Sequence, residues 1–382
     1  MAMDRSHIQI AQPSIGEEEW KAVKDPILSG WLTQGPKVDE FEKFFSIRHD
    51  VGHSLAVTSC TAGLHLALAA IGVGPGDEVI VPAFTWIATA NVILYCGATP
   101  VFVDILRDTY NIDPSKIAVK LTTRTKAIIP VHLFGLCADM DLIRAVVPGH
   151  IKIIEDAACA VGASYQGKWA GTLGDVASFS FHPRKTITTG EGGMVTTNDA
   201  KLAERMNQMR NHGATISEEQ RHYGFKPYIL PDFNLLGFNY RMTDIQGAIG
   251  TVQLSKLDLF INERSKWAKW YCEQLKEVKW LSLPKEPENG QHGWQSFVTY
   301  VDPDLAPFSR NEIMEKLQDV GISTRPGTHA VHMLTIYCER FGIQSNDFPV
   351  ARDCDKNTMS IPLHNRMLKK DYEYIVNIIR SI

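Results

Sequence analysis

One lysine stands in a setting that suggests chemistry before anything else does. Lys185 lies in the connection HPRKTITTGEGG, between two β-like runs at 176–181 and 194–197. A lysine amine can form a Schiff base with an aldehyde once burial or a neighbouring positive charge has made part of it neutral. The glycines that follow, Gly190, Gly192 and Gly193, let the backbone pass close to a bulky ring. Taken singly, a loop lysine is more often just solvated, so its companions must carry the argument. Asp156 follows the run KIIE at the carboxyl end of a β-like segment. A carboxylate buried there needs a permanent positive partner, and a protonated pyridine nitrogen is one. The same aspartate could equally cap the next helix. Glu155 points to the opposite face by the strand period of two, which makes it the weaker candidate.

Two further features complete an inventory. The segment TSCTAG, 58–63, joins a β-like run to a helical one. Its backbone N–H groups, with the hydroxyls of Ser59 and Thr61, suit a phosphate dianion at a helix N-terminus. Plain capping is the blander reading of such residues. Ser180, on the β-like run before Lys185, could add another hydroxyl, and Trp86 could stack on a flat ring. A phosphate site, a stacking ring, a charge partner for a pyridine nitrogen and an amine are together what pyridoxal phosphate (PLP) requires. The conjunction is far more specific than any member.

These residues need a frame, and the first half of the chain provides one. Apolar runs at 54–57, 78–81, 100–105, 127–131 and 152–154 alternate with helical patterns at 64–70 and 86–95, so Trp86 is expected to open a helix. That alternation predicts an α/β fold with a mostly parallel sheet covered on both faces, ligands binding at the carboxyl ends of its strands. From about Met242 long helical patterns take over, followed by a β-like stretch at 295–301 and helices at 310–320 and 370–379. The expected division is a large domain over 1–255 and a smaller α+β domain over 256–382. The stretch 212–233, rich in polar and turn residues, is placed as a cover over the site.

Composition narrows the class. At 382 residues, 44% hydrophobic, 21% charged and with a net charge of −4, the chain has an ordinary globular make-up and no overall field drawing it to nucleic acid or a membrane surface. Its seven cysteines are odd in number, scattered and free of any C-x-x-C pair, which suggests neither a zinc site nor a disulfide framework. The opening MAMDRSHIQIAQP lacks the apolar run of a signal peptide, so a cytoplasmic setting is expected.

The same segments resemble the DegT/DnrJ/StrS sugar aminotransferases, a family of PLP fold type I. The resemblance runs through SGWLTQGPKVDEFE (29–42), the long run 58–93, PVHLFG (130–135), EDAACAVGA (155–163), 174–199, LGFNYRMTDIQGAIG (236–250) and IPLHNRM (361–367). It implies that Lys185 is the Schiff-base lysine, Asp156 the partner of the pyridine nitrogen and Trp86 the stacking aromatic. Thr61 and Ala62 fall where backbone amides meet the phosphate, and Ser180 where a hydroxyl does. Asn239 matches an asparagine that reaches the phosphate from the other subunit, so the family implies a homodimer with shared sites. Thr33, Gln34, His329 and His332 lie where relatives approach the sugar nucleotide.

Two positions depart from the pattern. Cys159 stands where many relatives place Gln, Glu or His near the cofactor's phenolic oxygen, and Cys60 replaces the commoner glycine of S-G-T-A. A dehydratase branch carries histidine at the lysine position, whereas this chain keeps Lys185. The resemblance therefore implies transfer of an amino group from L-glutamate to a nucleotide-linked keto-deoxysugar, foremost a 4-keto-6-deoxyhexose, for aminosugars of surface polysaccharides such as O-antigen. A keto-inositol aminotransferase, a PLP-dependent dehydratase or lyase, and a non-catalytic binder that kept the fold are the alternatives.

Overall fold

The computed structural model describes residues 7–216 and 228–382. Part of the stretch expected to cover the site, 217–227, lies outside the described residues.

The apolar runs of the first half assemble into one seven-stranded sheet. Its strands are β1 (His53–Val57), β2 (Glu78–Pro82), β4 (Thr99–Val103), β5 (Thr125–Ile128), β6 (Lys152–Asp156), β9 (Val176–Ser180) and β10 (Gly193–Thr197), in the order β1-β10-β9-β6-β5-β2-β4. From β9 to β4 every neighbouring pair is parallel, and β10 alone runs against both its neighbours. The expected mostly parallel α/β architecture is borne out. Strands β2, β9 and β10 are buried at every position, which is why none shows the apolar–polar alternation of a half-exposed strand. Successive residues serve different cores: Leu55, Ile154 and Val195 join the core that includes the helix Cys60–Ala70, while Ala56, Ile153 and Met194 join the core that includes Phe41 and Phe45 of the helix Pro36–His49.

The other strands are shorter or lie later in the chain. β3 (Phe84–Thr85) pairs with β15 (His329–Ala330), and β7 (Ser164–Tyr165), β8 (Lys168–Trp169) and β12 (Gly290–Gln291) form a small ribbon. A four-stranded antiparallel sheet is built from β11 (Leu281–Ser282), β13 (Phe297–Val301), β16 (Thr358–Ile361) and β14 (Arg325–Pro326), in that order. The helix Leu257–Leu275 links the two sheets: Leu257, Phe260 and Ile261 enter the core of the large one, and Ala268, Tyr271 and Leu275 the core of the small one. Among the described residues, no helix is long and apolar enough to cross a membrane.

Two local readings are corrected. Trp86 does not open a helix; it follows β3, and the helix begins at Ala88. Pairing of Thr85 with His329 holds the chain extended where local propensity favoured an earlier helix start. Strand β6 also runs two residues further than its apolar core, so that Asp156 is its last residue.

Candidate active site

Asp156 is 5% exposed at the end of β6, and its two oxygens are held from different sides. The Thr89 hydroxyl donates to Oδ2 at 2.7 Å and the Ala158 N–H to Oδ1 at 3.2 Å. Because the Thr89 proton is committed, the Thr85 hydroxyl 2.9 Å away must donate to Thr89, giving a buried relay of two hydroxyls behind the carboxylate. Burial pushes the Asp156 carboxyl above the ordinary aspartate range; the Thr89 hydroxyl, the Ala158 amide, Lys185 and His132 oppose it without cancelling it. Trp86 comes next to Thr85 and is 61% exposed, its ring 5.6 Å from that of His329 and tilted by 41°.

Glu155 faces the other way, as the strand period requires. It is fully buried and accepts from the amides of Gly171, Leu173 and Gly174 and from Nε2 of His132 at 2.9 Å. His132 Nδ1 accepts the Ala138 N–H, so Nε2 carries the ring proton and donates to the carboxylate. The His132 N–H in turn donates to the Asp156 carbonyl, and the Asp156 N–H to that of Pro130. Glu155 therefore ties 171–174 to the 130–135 turn and stiffens the strand end that presents Asp156.

The helix Cys60–Ala70 starts over the ends of β9 and β10. Ser59 caps it, accepting the Ala62 N–H at 3.1 Å. Ala62's amide is thus engaged, and the helix-start amides without an acceptor among the described residues are those of Cys60 and Thr61. Of the two amides expected at the phosphate, Thr61 and Ala62, the second is the one that Ser59 caps. Glycine is required twice here. A Cβ on Gly63 would stand 2.3 Å from Ser178 Oγ, and one on Gly193 would stand 2.6 Å from the Ser59 carbonyl carbon and 2.7 Å from the Cys60 nitrogen. Ser180 ends β9 close by and accepts the His182 N–H through Oγ at 3.4 Å.

Lys185 is half-buried, with Nζ 3.1 Å from Cys159 Sγ. Its loop is pinned on itself: the Thr188 hydroxyl and the Thr189 amide both donate to the Phe181 carbonyl, and the Lys185 amide to that of His182. Burial would lower the amine's pKa, but Cys159, Cys60 and Asp156 outweigh it and hold it above the ordinary lysine value. The sequence led us to expect burial or a nearby cation to depress it; burial is present, and the neighbours act in the opposite sense.

The remaining candidates are not all brought together. Thr33 is exposed and Gln34 half-buried, in a loop running into the helix Pro36–His49. Asn239 is exposed, in a segment paired with Asn211. His329 lies beside Trp86, but His332 does not join it: it is fully buried, its Nε2 3.4 Å from the Ser345 carbonyl and its ring against Phe348. Spacing could not reveal this, since the 3₁₀ turn Val331–Met333 folds the second histidine inward. The sequence also concealed Thr89, Thr85 and Ser178, because their partners are distant in the chain.

The residues present fit PLP on structural grounds: free amides at a helix start, a cradle at Gly193 that a Cβ would fill, a buried carboxylate and a lysine beside it. On this sheet order they define a PLP-dependent transferase of fold type I. Residues 13–380 match the DegT/DnrJ/EryC1/StrS aminotransferase family, and the chain belongs to it; it is a PLP-dependent aminotransferase. It is 39% identical to the spore coat polysaccharide biosynthesis protein SpsC of Bacillus subtilis, over 100% of this chain and 99% of that one. It is also 39% identical to the GDP-perosamine synthase of Caulobacter vibrioides, over 98% and 97% of the two chains. The PLP form of Spr1654 from Streptococcus pneumoniae superimposes with a TM-score of 0.90 at 30% identity, covering 98% of each chain.

Proposed function

We propose that this enzyme moves the amino group of L-glutamate to the keto carbon of a nucleotide-linked deoxysugar, foremost a 4-keto-6-deoxyhexose, in the making of surface-polysaccharide aminosugars. The observation that carries the reading is the convergence of Lys185, Asp156 and the Cys60–Thr61 amides at one end of the sheet, next to the exposed Trp86 and His329. The relatedness to a GDP-perosamine synthase and to a polysaccharide-biosynthesis protein supports a sugar acceptor.

When bound, PLP supplies a carbonyl that takes up and hands on the amino group, and a ring that accepts the electrons of the deprotonated carbon. Lys185 is the residue that would bond to it covalently, and its Nζ, once released, would take a proton from the donor's α-carbon and deliver it to the carbon that was the cofactor's aldehyde. Asp156 holds the ring nitrogen protonated, with Thr89 and Ala158 keeping the carboxylate aimed. The amides of Cys60 and Thr61 and the hydroxyl of Ser180 hold the phosphate. Trp86 would stack on the ring, and Cys159, next to Lys185 Nζ, would lie near its phenolic oxygen. Thr33, Gln34 and His329 meet the acceptor. Asn239 serves the phosphate of a second copy in a homodimer; its exposure, next to the exposed Phe233 and Leu236, supports that arrangement.

The test is a panel of GDP-, UDP- and dTDP-linked keto-sugars, with a keto-inositol alongside, each offered with L-glutamate and read by product mass and proton coupling. Amination of a nucleotide sugar is expected. Amination of the inositol alone, or loss of water without nitrogen transfer, would refute the reading. In parallel, borohydride reduction should leave the cofactor on the peptide containing Lys185, and an unmodified peptide would remove the lysine assignment.

A further inference from the structure

The acceptor loop has no secondary structure between residues 30 and 35, yet it is gripped on both sides of Gln34 by a single buried side chain and its backbone. Asp244, 2% exposed, is the first residue of the helix Asp244–Ser255. Its N–H donates to the carbonyls of Leu32 and Thr33, at 3.3 and 3.2 Å. Its carboxylate accepts the amides of Lys37 at 3.1 Å and Val38 at 3.0 Å, and so caps the helix Pro36–His49. One turn on, a Cβ on Gly247 would stand 2.8 Å from the Lys37 carbonyl, so the two helices meet at backbone contact. Inside the loop, the Gln34 carbonyl accepts from Trp31 Nε1, while its side-chain Oε1 is buried without a hydrogen-bond partner among the described residues.

The same segment also reaches the cofactor loops. Gln246 Nε2 donates to the Glu191 carbonyl at 2.7 Å, six residues after Lys185, and the Tyr240 carbonyl accepts the Thr58 N–H at 3.0 Å, next to Ser59. Residues 240–246 therefore hold 32–38 in a fixed relation to both the lysine loop and the phosphate end.

We infer that Asp244 is a positioning residue for the acceptor half of the reaction: it sets Thr33 and Gln34 where a keto-sugar nucleotide can meet them, and takes no part in the donor half. The inference rests on the proposed function, which gives those two residues to the acceptor. Among the described residues the Oε1 of Gln34 has no donor, and a sugar hydroxyl met by rotation of this half-buried side chain would satisfy it, which is useful only if the loop is held.

The experiment compares PLP-loaded wild-type, Asp244→Ala, Asp244→Asn, Gln34→Ala and the Asp244→Ala/Gln34→Ala double variant. The donor half is followed as the colour change that L-glutamate produces in the absence of acceptor. The acceptor half is followed as KM for the keto-sugar nucleotide that the wild type selects from the panel above. Losing two charge-assisted hydrogen bonds is expected to raise acceptor KM in Asp244→Ala about tenfold or more, with the donor half-rate within about twofold of wild type. Asparagine keeps one accepting oxygen and is expected to fall between, which also covers the case in which the alanine variant does not fold. Adding Gln34→Ala should cost little once the loop is already free. An unchanged acceptor KM, or equal losses in both halves with loss of cofactor, would overturn the inference while leaving the proposed function standing. A wild type that aminates no keto-sugar nucleotide would sink the proposed function and this inference with it.

Discussion

Thr89→Val removes one hydroxyl and leaves the shape of the site almost unchanged. Thr89 is fully buried, and its hydroxyl donates to Asp156 Oδ2 at 2.7 Å while accepting from Thr85. A hydrogen bond to a charged group contributes about 1.5–3 kcal/mol, which corresponds to roughly 10- to 100-fold in an equilibrium that depends on the ionised carboxylate. Burial already favours the protonated form of Asp156, and the Thr89 hydroxyl is the strongest single influence against it. With the hydroxyl gone, Asp156 takes up its proton at a higher pH than in the wild type. The ionised form is the one that can hold a protonated ring nitrogen, so the acid limb of PLP affinity and of kcat/KM should move upward in pH. On that limb the variant should bind PLP about 10- to 100-fold more weakly, while Thr89→Ser, which keeps the hydroxyl, should follow the wild type. The assay is a titration of apoenzyme with PLP across pH, read by absorbance, with kcat/KM measured in the same buffers. Superimposable acid limbs for the valine variant and the wild type, at equal thermal stability, would show that the relay behind Asp156 is structural only.

Two further outcomes follow from the packing. Gly193→Ala places a methyl group 2.6 Å from the Ser59 carbonyl carbon, backbone that cannot swing aside; overpacking of about 1–3 kcal/mol is expected, with faster loss of PLP on dialysis. An unchanged melting temperature and cofactor content would remove the cradle argument. His49 is fully buried, and burial, with Arg48 beside it, drives its pKa from 6.5 down to about 3. The folded state therefore binds this proton less well than the unfolded chain. Its contribution to stability is complete above pH 6.5 and is lost as pH falls toward 3, by up to about 1.4 kcal/mol per pH unit, or about 2 kcal/mol by pH 5. Replacing His49, which stacks on Phe45 at 4.0 Å, with phenylalanine should flatten the fall in unfolding free energy between pH 7 and 5. Identical slopes by denaturant titration would assign the acid sensitivity to other groups, such as His292 and His364, held at about 3 and about 4 by burial.

Much of the frame could be read from residue order. Strands β2, β9 and β10 are short runs buried at every position, and such runs show no surface alternation because helices cover both sides of the sheet. That Glu155 and Asp156 point to opposite faces required nothing beyond the alternation of side chains along a strand, and Ser59 announced a helix start by its type and place. These are local rules, and local sequence satisfies them. What remained hidden depended on partners far along the chain. Trp86 is kept out of a helix because β15 arrives to pair with β3. Thr89 acquires its role only when the first turn of its helix reaches the end of β6, and Asp244 only when its helix meets Pro36–His49 at backbone contact. The neighbours that raise the Lys185 amine gather from the ends of two strands, Cys60 after β1 and Asp156 and Cys159 at and after the end of β6, and His332 turns inward although His329 stays at the surface. Periodicity and caps act within a few residues; which hydroxyl, amide or charge ends up beside a given atom is set by how the elements pack, and no spacing along the chain encodes that directly.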